Sequence, residues 1–182
     1  MSPRAVAGLA VVVLWALLGA SASEGASVEI GTEAALCAEI NGLGPGDELV
    51  LRPGEYAGPC TIRRGGGPGA PTVIRAKDLA DRPRIVYGGA TANVLDARAD
   101  HVTIRGLAFG PTQRSVDGVR IHSRAGVTVE ACEFTGLGGI AVVANSTSGR
   151  GIAEPHPHGA RVGRRGLAFS DMCTYVVRIC CT

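Results

Sequence analysis

Seven residues in the middle of this 182-residue chain have the side-chain types that proton abstraction requires: Arg105, Arg120, His122, Glu130 and Glu133, with Asp96 and Asp117 nearby. Taking a proton from a carbon beside a carboxylate needs a cation or metal to neutralise that carboxylate and a base to accept the proton. The arginines can supply the cation. His122 and the glutamates can supply the base, and Asp96 and Asp117 are the carboxylates a metal ion would use. Each residue also has a plainer role. Arg105 and Glu130 can form an exposed ion pair worth about 0–1 kcal/mol. His122 can be a solvated side chain at a strand edge, and Asp117, just before a glycine, can bond its own backbone in a turn.

The elements that would hold these residues come from a repeat. Val102-Thr103-Ile104-Arg105-Gly106-Leu107-Ala108-Phe109 returns as Val127-Thr128-Val129-Glu130-Ala131-Cys132-Glu133-Phe134. Asp117-Gly118-Val119-Arg120-Ile121 returns as Gly138-Gly139-Ile140-Ala141-Val142. Equivalent strands start near Leu49, Val73, Val102 and Val127, at steps of 24, 29 and 25 residues. A period of that size marks a solenoid, in which each repeat buries its apolar side against its neighbours.

Within a coil, strand alternation turns Val102 and Ile104 inward and Thr103 and Arg105 outward. Leu107 and Phe109 turn inward again past Gly106. Val119 and Ile121 form a second inward pair, expected to stack on Ile140 and Val142. Arg105 and Glu130 fall on equivalent outward positions of successive coils, about 4.8 Å apart. A strand running into a turn is expected at Asp47–Tyr56, and further strands at Cys60–Ile62, Pro71–Ala76, Arg84–Tyr87 and Asn93–Asp96, with a glycine loop at 65–69. Before them, Thr32 is placed to cap a short helix with Glu33 in its first turn. Leu36, Ile40 and Leu43 share one face of that helix.

Composition narrows the function. Residues 23–145 carry 12 Lys+Arg against 14 Asp+Glu, and residues 146–182 carry 5 against 2. Neither part has the basic stripe of a nucleic-acid binder. Arg4, the apolar run Val6–Leu18 and Ala20-Ser21-Ala22 read as an export signal over residues 1–22, too short for a comfortable membrane span. An uncleaved N-terminal anchor is the other reading. The expected location is secreted, periplasmic or at the cell surface. Export meets an oxidising compartment, where Cys37 and Cys60 are disulfide candidates that would pin the helix to the first coil. Spacing alone leaves open whether their Cβ atoms meet. Cys132 aligns with Leu107 and reads as a buried thiol. Cys173, Cys180 and Cys181 lack the paired spacing of a zinc ribbon.

The repeat predicts another strand start at Ile152, but Glu154, Pro155 and Pro157 then stand where inward residues belong. His156 and His158 lie in this proline-rich stretch, where i, i+2 spacing in an irregular segment is weak evidence for a metal. Arg165-Gly166-Leu167-Ala168-Phe169 repeats Arg105–Phe109 letter for letter at an offset of 60, out of step with the coil. Residues 23–150 are therefore read as the β-helix domain and 151–182 as an irregular tail. That tail is either out of the parental frame or a real irregular cap. A last coil left uncovered would invite self-association. Asn145-Ser146-Thr147 fits the glycosylation triplet, which has meaning only in a suitable host.

The opening Gly46-Asp47-Glu48-Leu49-Val50-Leu51-Arg52-Pro53-Gly54-Glu55-Tyr56 after a short apolar helix resembles the first coil of right-handed parallel β-helix proteins. These form the pectate-lyase-like superfamily, and the likeness is nearest to its chondroitinase B and alginate lyase branch. Asp117-Gly118-Val119 and Gly138-Gly139-Ile140 match that repeat, and the resemblance covers 32–145. It implies an all-β, right-handed parallel β-helix with a short N-terminal capping helix, and polysaccharide-lyase ancestry. Acidic polysaccharide is the implied substrate or partner and calcium the implied cofactor. In that branch the catalytic bases and calcium ligands lie on central coils, beyond the end of this pattern, so none is carried onto this chain. The alternative is a non-catalytic secreted scaffold or glycan-binding fragment. The absence of Trp outside the signal, with only Tyr56 and Tyr87 before the tail, speaks mildly against a dedicated sugar-binding module.

Overall fold

A computed structural model describes residues 25–145 and 176–179 of the chain. The residues 1–22 expected to form an export signal, His156, His158, the Arg165–Phe169 repeat, Ser146, Thr147 and the three C-terminal cysteines lie outside the described residues. The chain forms a parallel β-solenoid of about five turns. After β1 (Ser27–Ile30) and α1 (Leu36–Gly42), the first full coil is β2 (Glu48–Leu51), β3 (Glu55–Ala57) and β4 (Cys60–Ile62). The next is β5 (Thr72–Ala76), β6 (Arg84–Tyr87) and β7 (Leu95–Ala97), followed by β8 (Val102–Arg105), β9 (Ala108–Thr112) and β10 (Val119–His122). Then come β11 (Thr128–Phe134), β12 (Val142–Asn145) and β13 (Val176–Ile179).

These strands stack into three faces. The first runs β1-β2-β5-β8-β11, with β13 paired to β11, and the second runs β11-β9-β6-β3. β11 passes through the corner between them and belongs to both. The third face is β12-β10-β7-β4.

Stacking in register converts the repeat into apolar columns. Leu49, Ile74, Ile104 and Val129 align on the first face, all fully buried. Tyr56, Ile85, Phe109 and Phe134 align on the second, where the two phenylalanine rings stack at 5.0 Å between centroids. On the third, Cys60, Leu95, Val119 and Val142 make one column and Ile62, Ala97, Ile121 and Ala144 another. Each fully buried aliphatic side chain contributes about 1.5–3 kcal/mol. Two buried polar side chains are bonded: Tyr56 Oη donates to the carbonyls of Arg52 (2.8 Å) and Ile30 (3.1 Å), and Thr72 Oγ1 donates to Gly44 O at 2.9 Å.

Two local expectations are corrected. Thr32 does not cap the helix: α1 begins at Leu36 with Ala35 at its N-cap and no side-chain cap, and Glu39 rather than Glu33 lies in its first turn. Glu33 pairs instead with Arg52 at 3.0 Å. Packing sets this start, because Leu36, Ile40 and Leu43 must all reach the core and do. On the third face, Val119 lies over Val142 and Ile121 over Ala144, so Ile140 is not a stacking partner. The sequence match of Asp117 with Gly138 is out by two residues, because the true step between these strands is set by Gly118 and Val119 donating to the carbonyls of Ile140 and Ala141.

Both ends of the stack are tied or covered in part. Asn41 on α1 works as a surrogate strand for β4, its Nδ2 donating to Thr61 O (3.0 Å) and its Oδ1 accepting from Arg63 N (2.8 Å). A disulfide joins Cys37 on α1 to Cys60 on β4, with Cα atoms 5.1 Å apart. At the other end β13, inside the segment expected to be irregular, pairs with the outer edge of β11, Val177 in register with Val129 and Arg178 with Glu130.

Candidate functional site

The outward positions of the third face and the corner before β10 bring four of the seven chemistry-bearing residues together. Thr61, Asp96, Arg120 and Val143 form one outward row, and His122 lies two residues beyond Arg120 on β10. His122 Nε2 is 3.1 Å from Asp96 Oδ1, and their side chains are 28% and 14% exposed. This is a half-buried imidazole held against a carboxylate, the arrangement that fixes a histidine ring for proton transfer. Arg120 Nη2 donates to Asp117 Oδ2 at 2.6 Å, and Asp117 is almost fully buried.

Asn93 ties the two pairs into one network. Its Nδ2 donates to Asp96 Oδ1 at 2.9 Å and its Oδ1 accepts from Asp117 N at 3.4 Å. Asp117 Oδ1 also accepts from Ile140 N at 2.8 Å, which fastens the corner before β10 to the coil above. The turn role of Asp117 is thus to bond the backbone of the next coil rather than its own. Arg120 Nε is buried without a hydrogen-bond partner. Arg63 and Arg98, both exposed, follow the ends of β4 and β7 on the side where His122 follows Arg120.

The other three candidates lie elsewhere. Arg105 and Glu130 are registered neighbours on the first face, Nε to Oε1 3.5 Å, as their spacing in the repeat requires. Glu133 lies on the second face, where it meets Arg84 at 4.0 Å across the small Ala108 and accepts from Thr135 Oγ1 at 3.1 Å. One site therefore does not contain all seven. Cys132 is fully buried, its thiol pushed up to about 11 by burial, so it is no nucleophile at neutral pH.

Calcium does not fit the two aspartates. It takes 6–8 oxygen ligands, whereas the Asp117 oxygens face a guanidinium and a backbone N–H, and Asp96 Oδ1 faces His122 and Asn93. Among the described residues no group of three or more His, Cys, Asp and Glu could hold a metal ion.

Sequence reasoning missed Asn93, which links the two pairs. The signal was present: the register of Leu95 with Val119 aligns Asn93-Val94-Leu95-Asp96 with Asp117-Gly118-Val119-Arg120. That puts Asn93 and Asp117 at the same corner on successive coils. No family model, no curated protein and no solved structure matches the chain, so the fold and this network are what define it.

Proposed function

We propose that this protein is an exported parallel β-helix of the pectate-lyase-like kind, nearest the chondroitinase B and alginate lyase branch, that acts on or binds acidic polysaccharide through its third face. One observation carries the reading: the His122–Asp96 contact of 3.1 Å, with Arg120 on the same strand and the same outward side. Side chains two residues apart on a strand are about 6.6 Å apart at the backbone. That separation suits a base and a carboxylate-binding cation working on one sugar unit. Asp96 would orient the imidazole and stabilise it once protonated, while Arg120, with Arg98 level with His122 on the neighbouring coil, would hold and neutralise the uronate carboxylate. The Cys37–Cys60 disulfide and the apolar N-terminal run support export.

A second reading has its own support. Arg120 is already committed to buried Asp117, which favours a non-catalytic face that binds glycan. The test is to incubate the mature protein with pectate, alginate and chondroitin and dermatan sulfates. Unsaturated uronate ends are followed by ultraviolet absorbance, and retention is measured on columns of the same polymers. Products that vanish in His122→Ala establish the lyase, and retention without products establishes binding. Absence of both products and retention on every polymer overturns the proposal.

Self-association belongs to the same reading. Among the described residues β12 pairs only with β10, so its outer edge offers unpaired backbone groups there.

A further inference from the structure

A different face carries a second arrangement of charge. Arg75 on β5 and Arg105 on β8 are registered neighbours on the outside of the first face. Like charges directly opposed on a sheet destabilise it. Lys77 follows two residues after Arg75, on the same outward side by alternation, so three cations form a triangle with edges of about 5 and 7 Å. With Ala76 and Leu79 they line a notch of about 200 Å³ whose lining contains no acid.

The carboxylates sit on the flanks. Glu48 grips Arg75, its Oε2 accepting from Nη2 at 3.0 Å, and Glu29 holds Lys77 at 2.8 Å. Arg105 is the least engaged of the three. It is 53% exposed, and among the described residues its one ion pair within 4 Å is with Glu130 at 3.5 Å. Two features keep the notch open and give it an apolar wall. Gly106 has φ +73°, and a side chain there would run into Leu79. Leu79 is 45% exposed and, with Val28, is one of two large exposed hydrophobic side chains among the described residues.

We propose that this notch binds a small organic anion, its carboxylate or sulfate seated between Arg75, Lys77 and Arg105 and its apolar body against Leu79. The flanking glutamates hold the cations in place, so little ordering is needed on binding. Glu130 also competes with the ligand for Arg105. The site does not depend on the third face, and the anion can come from a free monosaccharide or from a group on a polymer.

The test is titration of the full mature chain with sodium sulfate and with galacturonate, followed by amide chemical shifts, against sodium chloride at equal ionic strength. Saturable binding with Kd of about 1 mM or tighter is expected, centred on residues 75–79 and 105–106. Arg105→Gln should weaken it at least tenfold. Glu130→Gln should tighten it severalfold by removing the internal competitor, and His122→Ala should leave it unchanged. An equal response to chloride, weaker binding in Glu130→Gln, or full binding in an Arg105→Gln/Lys77→Gln double variant overturns the proposal. If Arg105→Gln does not fold, Lys77→Gln and Glu130→Gln, both at exposed or half-exposed positions, decide the matter by their opposite signs. A polyuronate titration of Arg105→Gln and His122→Ala separates the sources: loss only in Arg105→Gln means the polymer's carboxylates use this notch. Loss only in His122→Ala means they use the third face, leaving the notch to the free anion.

Discussion

Ala131 occupies the corner that Gly106 occupies one coil earlier, and both have left-handed backbone, with φ +51° and +73°. Glycine adopts this conformation freely, whereas an L-residue is strained there by about 1–2 kcal/mol. Replacing Ala131 by glycine relieves that strain but adds about 0.5–1 kcal/mol of unfolded-state entropy. The first effect is larger. Ala131→Gly should therefore stabilise the protein by about 0.5–1 kcal/mol in denaturant melts, and the bond from Arg82 Nη1 to Ala131 O survives because the acceptor is backbone.

The Cys37–Cys60 bridge closes a loop with a sequence separation of 23 residues. In the chain-entropy account such a loop contributes about 3 kcal/mol. A Cys37→Ala/Cys60→Ala variant should lose about that much, and reducing agent should lower the midpoint of the wild type toward the variant's. Equal midpoints for oxidised wild type and variant would show that α1 is held by Asn41 and the apolar contacts of Leu36 and Ile40 alone.

Asp117 is the anchor of the third-face network. Asp117→Ala removes the acceptor for Ile140 N and leaves Arg120 without its carboxylate, at a cost of about 2–3 kcal/mol. Asp117→Asn keeps an oxygen for Ile140 N and should cost about 1 kcal/mol. Thermal melts of the two variants should fall in that order.

Glu48 supplies a pH dependence. Hydrogen bonding to the Arg75 guanidinium holds its carboxyl below the usual range, against a smaller opposing effect of burial. A carboxyl with a lowered pKa in the folded protein stabilises it fully above its unfolded value of about 4.3. That contribution fades as pH falls through the folded value. The pair is only about two-thirds covered, so the effect is about 0.5–1 kcal/mol. Glu48→Gln should be less stable than wild type at pH 7, and the gap should close below about pH 4.

The fold was legible because apolar columns leave a period in the chain: Ile104 and Val129, or Phe109 and Phe134, are the same structural position written twice. Arg105 and Glu130 were legible for that reason too. Asn93 was not, because its role depends on side-chain bonds across a corner, and corners vary in length where strands do not. The two-residue slip at Ile140 has the same origin, since glycines on both sides of a corner align in sequence without aligning in space. Thr32 looked like a cap by residue type, but the burial of Leu36 fixed where the helix begins.

Corner length also has a consequence for the molecule as a platform. From Cys60 to its stacked partner Leu95 the chain takes 35 residues, while Leu95 to Val119 takes 24, yet both pairs sit in one unbroken column. Each coil thus adds one fixed rung, however much polypeptide it spends at the bends. Peptide grafted into the glycine loop after β4, or between β6 and β7, should lengthen the chain without moving any rung. In this scaffold, surface features can be changed by insertion while the spacing between them stays set by the strands.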